Sequence, residues 1–360
     1  MPPLKGEVAE GRRGYPVRTT GTRHASPSKG EVPQCAHWGG GIDPSVSFAD
    51  SSLFEREPIR NGDIEMTKSA MITICGRPNA GKSTLTNALV GEKVAIVSAK
   101  PQTTRNRITA IVERGDTQFV LLDTPGFHKP KTRLGDYMVN VVRESVADVD
   151  CVLLMVEPVA AVGPQEEALI ERISQSGVPA LLLINKIDTV DKSRLLEVMA
   201  VYSQAHDFDA ILPISAKTGD GLDELLKELD KYAVEGPHLF PDDMITDQPE
   251  RQICAELVRE KLLRCLDKEI PHGTAVEVTK FSERDNGIID LEVTIFCEKE
   301  SHKGIIIGKK GAMLKKIGEL ARLDIEDFMG TKVNLQTWVK VKENWRDSMA
   351  SLRNFGFTEQ

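Results

Sequence analysis

The chain has 360 residues, enough for two or three domains, and its 40% hydrophobic and 28% charged content is that of a soluble globular protein. A net charge of −8 excludes a uniformly basic nucleic-acid binder, though not a local basic patch. No apolar run is long enough to span a bilayer, and the six scattered cysteines (Cys35, Cys75, Cys151, Cys254, Cys265, Cys297) form no Cys-x-x-Cys pair. They read as reduced core residues of a cytosolic protein, not a disulfide frame or zinc site.

Residues 1–65 hold 9 Gly and 7 Pro with no sustained period, too little apolar surface to offset the entropy of ordering. The expectation is a disordered extension. Arg12, Arg13, Arg18 and Arg23 among Ser and Thr hint at an organelle transit segment, but Glu7 and Glu10 oppose it. Met66 as the natural start is preferred, because a strand follows almost at once.

Residues 66–235 alternate strand-like and helix-like runs. Strands are predicted over 71–75, 107–113, 117–122, 151–157, 180–184 and 210–214, and helices over 82–90, 134–146, 164–175, 191–205 and 221–233. Such alternation implies an α/β domain with a mostly parallel, doubly wound sheet and a ligand site at the carboxyl ends of its strands.

The first strand ends in Gly76-Arg77-Pro78-Asn79-Ala80-Gly81-Lys82-Ser83, followed by Thr84, which fits the phosphate-loop (P-loop) pattern between a strand and a helix. Glycines let several backbone N–H groups point at one anion, and the following helix N-terminus favours negative charge. Lys82 would reach the outer phosphates and the Ser83 hydroxyl would ligate Mg²⁺. Next comes Lys100-Pro101-Gln102-Thr103-Thr104-Arg105, polar and loop-like, where a threonine could complete the Mg²⁺ shell when a nucleoside triphosphate is bound and be released after hydrolysis. Asp123-Thr124-Pro125-Gly126 follows an apolar strand; its acid can hold Mg²⁺ through water, and the Gly126 N–H can sense a γ-phosphate.

The choice of base rests on Asn185-Lys186-Ile187-Asp188, after the strand 180–184. A carboxylate at Asp188 accepts from both N1–H and the exocyclic amine of guanine, a donor pair that adenine lacks. Asn185 can bond the purine edge and brace the phosphate loop, Lys186 can lie along the base, and a backbone N–H of Ser215-Ala216-Lys217 can meet the guanine oxygen.

Residues 236–249 carry three prolines and read as a linker. Residues 250–360 then read as a small α+β unit with a helix over 251–267, strands over 274–281 and 287–297, a glycine-rich turn, a helix near 312–328, a strand near 332–342 and a short helix near 344–355. Within it, Gly308-Lys309-Lys310-Gly311 is a Gly-x-x-Gly loop after apolar Ile305–Ile307, as in K-homology (KH) domains that clamp single-stranded nucleic acid. Five lysines (303, 309, 310, 315, 316) and no acid fall within 301–318, the local patch that the net charge hides. Lys303, Lys309, Lys310 and Lys315, with Gly308 and Gly311, are the RNA-contact candidates. Trp338 and Trp345 flank the last strand and are expected to pack in the core, with base stacking the alternative.

Taken in order, Gly-Arg-Pro-Asn-x-Gly-Lys-Ser, Pro-Gln-Thr-Thr-Arg, Asp-Thr-Pro-Gly-Phe-His, Asn-Lys-Ile-Asp and Ser-Ala-Lys resemble the Era family of GTPases over residues 70–357. The resemblance implies a P-loop GTPase domain followed by a type II KH domain, with GTP/GDP and Mg²⁺ as cofactors. It makes Thr104 the Mg²⁺ contact with Ser83 and Asp123, and Lys82, Thr104 and Gly126 the residues closest to hydrolysis. It implies as partners the 3′ end of 16S ribosomal RNA and the 30S subunit, a role in assembling that subunit, peripheral contact with the inner membrane, and a cytoplasmic monomer. Ala80 stands where valine is common. Phe127 stands where Ras-like enzymes carry a water-orienting glutamine, so slow intrinsic hydrolysis is expected. In related GTPases an asparagine at the Asn79 position helps hold K⁺; a loop-stabilising amide is the alternative. Two rivals stay open: a GTPase acting at a membrane or on a signalling partner, and a non-catalytic RNA-binding scaffold.

Overall fold

The computed structural model describes residues 67–357. The readings of residues 1–65 as disordered and of Met66 as the start lie outside the described residues.

The first strand, β1 (Lys68–Gly76), leads through a tight loop into α1 (Lys82–Val90). A long connection precedes the hairpin β2 (Ile108–Arg114) and β3 (Thr117–Asp123). Then α2 (Arg133–Glu144), β4 (Cys151–Val156), α3 (Pro164–Ser176), β5 (Ala180–Ile184), α4 (Lys192–Ala205), β6 (Ala210–Pro213) and α5 (Leu222–Leu229) alternate, and β7 (Val234–Glu235) closes the series. The strand order is β2-β3-β1-β4-β5-β6, with β7 on β1. Strands β3, β1, β4, β5 and β6 pair in parallel, whereas β2 and β7 are antiparallel to their neighbours.

These strands are apolar on both faces because helices cover both faces. In β4, Cys151, Leu153 and Met155 join one core cluster, while Val152, Leu154 and Val156 join the other. In β5, Leu181 and Leu183 go one way and Leu182 and Ile184 the other. The period of two leaves the carboxyl ends of β1, β3, β5 and β6 as an open rim carrying the phosphate loop, Asp123, Asn185 and Ser215.

The linker 236–249 is not free. Gln118, fully buried in β3, donates to the Phe240 carbonyl at 2.9 Å and accepts the Phe240 N–H at 3.0 Å. Ile111 N–H meets the Ile245 carbonyl at 2.9 Å, and Thr246 Oγ1 donates to the Thr109 carbonyl at 2.6 Å. The segment therefore runs along the outer strand β2 and shields part of its exposed edge.

Beyond it lie α6 (Glu250–Cys265), β8 (Ala275–Glu283), β9 (Ile289–Cys297), α7 (Glu300–Ile307), α8 (Ala312–Met329), β10 (Val333–Val341) and α9 (Met349–Asn354). The sheet order is β10-β9-β8, with β9 parallel to β10 and antiparallel to β8. Helices α6 and α8 cover one face, with Leu257, Leu262, Ile317, Ala321 and Ile325 packed on Leu291, Val293 and Ile295.

Two expectations need correction here. The run before the Gly-x-x-Gly turn is the helix α7, where only an apolar stretch and a turn were expected. Three successive β-branched isoleucines and Gly304 give it poor helix propensity, and burial of Ile306 in the core compensates. The tryptophans also differ. Trp345 is fully buried and donates its indole N–H to the Gly273 carbonyl at 2.9 Å, but Trp338 is 43% exposed. β10 is an edge strand whose Val333, Leu335, Val339 and Val341 face the core, so alternation turns Trp338 to the opposite side.

The Gln118 tether gives a stability prediction. Gln118→Ala leaves the Phe240 amide without its partner and is expected to cost about 1–3 kcal/mol in denaturant unfolding. Limited proteolysis should also cut within 236–249 faster than in the parent chain.

Candidate functional site

The loop 76–83 folds back over the carboxyl end of β1. Gly81 takes φ +108°, and a Cβ there would overlap the Asn185 amide, so only glycine fits. As the N-cap of α1, Gly81 supplies no side-chain cap, and the first N–H groups of the helix remain for an anion. Lys82 is buried, with Nζ donating to the carbonyls of Gly76 and Arg77 at 3.3 and 3.1 Å. Burial pushes its pKa down, against the pull of Asp123.

Three candidate metal ligands meet beside Lys82. Ser83 Oγ donates to Asp123 Oδ2 at 2.6 Å and lies 2.8 Å from Thr104 Oγ1. Asp123 is fully buried, and burial pushes its carboxyl up to about 6 despite Lys82. Its other oxygen, Oδ1, is buried without a hydrogen-bond partner. Two hydroxyls and a carboxylate with a spare oxygen form an all-oxygen donor set suited to Mg²⁺. A cation there and a polyphosphate at Lys82 would answer both burial penalties.

A cleft of about 560 Å³ joins this corner to the base end; its walls include Asn79, Gly81, Lys82, Thr84, Thr104 and Lys186. Asn185 is buried and donates to the Ala80 carbonyl at 2.7 Å while accepting the Ala216 N–H at 3.0 Å. It thus ties the phosphate loop to the loop after β6, as expected, and both ends of its amide are used. The Ser215 and Ala216 N–H groups are already bonded, to Asp220 and Asn185. Ser215 Oγ donates to Asp188 Oδ1 at 2.8 Å, which orients that exposed carboxylate. Lys186 pairs with Glu157, and Lys217 is exposed.

Other loop residues are arranged as follows. Arg77 turns from the cleft to Gln165 at 3.0 Å and Glu166 at 3.4 Å. Asn79 donates to the Ala99 carbonyl at 2.8 Å. Thr124 bonds the Ile74 carbonyl at 2.8 Å, and Pro125 is buried beside it. Gly126 lies against Pro78; a Cβ on it would come within 2.6 Å of the Pro78 Cα. Phe127 packs into the core between β4 and α3, so its ring is committed to packing. Sequence reading passed over Gln102 and His128, whose side chains meet at 3.1 Å and join the connection before β2 to the one after β3. Both lie inside the quoted motifs, but the contact depends on how the loops fold.

In the second unit Gly308 (φ +74°) and Gly311 (φ +79°) flank Lys310, itself left-handed at φ +51°. A Cβ on Gly308 would lie 2.7 Å from that of Met313, so the turn needs glycine. Lys309, Lys310 and Lys315 are exposed at the start of α8, with Lys303 half-buried on α7. Lys303 approaches Glu300, and Lys315 approaches Glu319, both at 3.8 Å. Lys309 and Lys310 are the turn's two exposed cations.

This fold and these sites define a P-loop GTPase with a C-terminal KH domain. The family described as 50S ribosome-binding GTPase matches residues 71–186, and the KH domain family matches residues 269–346. GTPase Era from Ruminiclostridium cellulolyticum is 51% identical over 290 residues, covering 81% of this chain and 97% of that protein. GTPase Era from Clostridioides difficile is 50% identical over 297 residues, 82% of this chain and 100% of that protein. The chain belongs to the GTPase Era family. Among solved structures, Aquifex aeolicus Era bound to GDP·AlF₄⁻ superposes with a TM-score of 0.79 at 38% identity, over 81% of this chain and 100% of that one. Era in complex with MgGDPNP and nucleotides 1506–1542 of 16S ribosomal RNA matches with the same score, identity and coverage.

The Asn185 brace is directly testable. Asn185→Ala removes both of its hydrogen bonds and should weaken fluorescent-GDP binding by about tenfold or more. An unchanged titration would remove the brace from the account of the site.

Proposed function

We infer that the cleft binds GTP and Mg²⁺ and hydrolyses GTP to GDP and phosphate, and that nucleotide state governs RNA capture by the Gly-x-x-Gly turn. The observation that carries this reading is a connected set of bonds: Ser83, Thr104 and Asp123 meet beside Lys82, and Asn185 ties the same phosphate loop to Ser215-Ala216, whose serine orients Asp188.

The loop N–H groups and Lys82 hold the phosphates; two of the ammonium's three N–H donors rest on the Gly76 and Arg77 carbonyls, which leaves a third for phosphate. Ser83, Thr104 and Asp123 would hold Mg²⁺, which when bound neutralises charge on the phosphate oxygens. Gly126 presents its N–H beside Pro78 at the terminal phosphate. Water attacks in line, and the phosphoanhydride bond to the leaving GDP breaks. With Phe127 non-polar and partly buried against the core, no side chain at that position orients the water, so unaided hydrolysis is slow. Asn79 fastens the Ala99 carbonyl through its amide N–H, and its carboxamide oxygen would be the ligand it offers to K⁺.

Asp188 selects guanine by accepting two donors that adenine cannot offer together. Lys303, Gly308, Lys309, Lys310, Gly311 and Lys315 form the RNA clamp. The complex of the related Era with nucleotides 1506–1542 supports the 3′ region of small-subunit ribosomal RNA as the target, and assembly of that subunit as the role. Among the described residues no helix is long and apolar enough to cross a membrane.

Calorimetry should show guanine nucleotides bound at least 100-fold more tightly than adenine ones, and Asp188→Asn should shift preference to xanthine nucleotides. Equal binding of ATP and GTP would overturn the assignment. Crosslinking and sequencing with GTP and with GDP should recover 16S RNA 3′ ends preferentially with GTP. Gly308→Asp with Gly311→Asp should abolish capture but leave GTP binding intact. Enrichment on anionic liposomes without ribosomal RNA would instead favour a membrane role. Turnover should be several-fold faster in KCl than in NaCl; equal rates would remove K⁺ from the site.

A further inference from the structure

The connection 91–107 carries Thr104 to the metal corner, yet most of its anchors lie in the KH part of the molecule. Ile96 is buried in the core formed by α6, α8 and the three-stranded sheet. Val97 N–H donates to Glu260 Oε1 at 3.1 Å, and Lys100 Nζ bonds the Leu266 carbonyl. Arg259, 2% exposed on α6, donates from Nη2 to the Thr103 carbonyl and is held in turn by Glu256. On the other side of Thr104, Arg105 is also 2% exposed. It donates to the carbonyls of Thr274 at 2.7 Å and His272 at 2.9 Å and lies over the Trp345 ring. Thr104 therefore sits between two backbone-fixing contacts, neither made by the domain that supplies the rest of the nucleotide site.

The neighbouring anchor, Glu260 on Val97, is held in an ionic cluster. Glu260 is fully buried and accepts from Lys93 at 2.7 Å, Lys261 at 2.9 Å and Arg264 at 2.8 Å. Asp324 of α8 joins the same cluster through Lys93 at 2.6 Å and through Lys261. Helix α8 begins directly after the Gly-x-x-Gly turn, so the RNA-clamp helix and the Glu260 anchor of Val97 share one ionic cluster, one residue along α6 from Arg259.

We propose that Arg259 is a positioning residue for GTP hydrolysis. Through the Thr103 carbonyl it sets the Thr104 hydroxyl at the metal corner, so the KH domain completes the GTP-competent site. The inference rests on the reading of Thr104 as the Mg²⁺ contact. The Thr103 carbonyl is one residue from a hydroxyl that must be placed within tenths of an ångström, so a buried guanidinium on that carbonyl bears directly on the hydroxyl's position. The guanidinium reaches both the carbonyl and Glu256, a geometry that a point charge on Lys reproduces only in part.

The test uses the full chain with Arg259→Gln and Arg259→Lys. Affinities are measured with a fluorescent non-hydrolysable GTP analogue plus Mg²⁺ and with fluorescent GDP, alongside amide hydrogen exchange over 97–105. Arg259→Gln should weaken the GTP analogue about tenfold, leave GDP within twofold and speed exchange in the loop, as expected for a contact made in only one nucleotide state. Arg259→Lys should fall between parent and Gln, and it carries the same comparison if the Gln variant does not fold. An unchanged GTP-to-GDP ratio, or equal loss of both nucleotides, would overturn the proposal. Separately, Thr104→Ala tests the underlying reading: unaltered Mg²⁺-dependent binding of the GTP analogue there would sink that reading, whatever Arg259 does.

Discussion

The molecule is organised by a charge pair that it has removed from water without fully pairing. Lys82 and Asp123 are both buried at the carboxyl ends of adjacent parallel strands, and burial drives each toward neutrality. A protein normally neutralises or pairs such groups. Here the lysine rests on two backbone carbonyls, and one carboxylate oxygen is left bare. That corner is completed by a ligand of opposite charges, an anion at Lys82 and a cation at Asp123. Much of the fold serves to hold it: the doubly wound sheet fixes the strand ends, and Asn185 fastens the loop between them.

A second constraint is connectivity. Of the metal corner, Asp123 ends β3 and Ser83 lies in the first turn of α1, whereas Thr104 lies in a connection without regular structure. Such a segment is held by what it packs against. Most of its anchors are on α6 and the turn 271–274, and Ile96 is shared with the KH core. The C-terminal aromatic cluster adds another contact of this kind. Leu134 and Met138 of α2 pack with Trp345, Leu352 and Phe357, and Trp345 stacks beside Arg105. The connection that carries Thr104 and the helix α2 are therefore both in contact with the last domain.

The basic patch is narrower than composition implies. The five lysines of 301–318 lie together in sequence, but Lys303 and Lys315 face acids just outside that window. The remaining charge is that of Lys309 and Lys310 on a turn fixed by Gly308, with exposed Lys316 on the helix that follows. Exposed Trp338 lies on the opposite side of the sheet from the helices and takes no part in that turn's core.

Much of this protein was legible in its residues alone. The phosphate loop, Asp123, Asn-Lys-Ile-Asp and Ser-Ala-Lys could be read because each combines a local backbone requirement with a chemical one at a set spacing. The alternating apolar runs announced the parallel sheet because strands buried on both faces must be apolar on both. The helix α7 was hidden because Ile305–Ile307 and Gly304 disfavour a helix locally, and only burial of Ile306 reverses that preference. Trp338 was misplaced because exposure depends on which face of an edge strand meets the core. The anchoring of Thr104 by Arg259 and Arg105 was equally invisible, since its partners lie 156 and 169 residues apart. Sequence determined which groups could bind phosphate, metal and guanine, because those demands are local. Only tertiary structure decided what holds them in register, because contacts between distant segments depend on packing that no short stretch specifies.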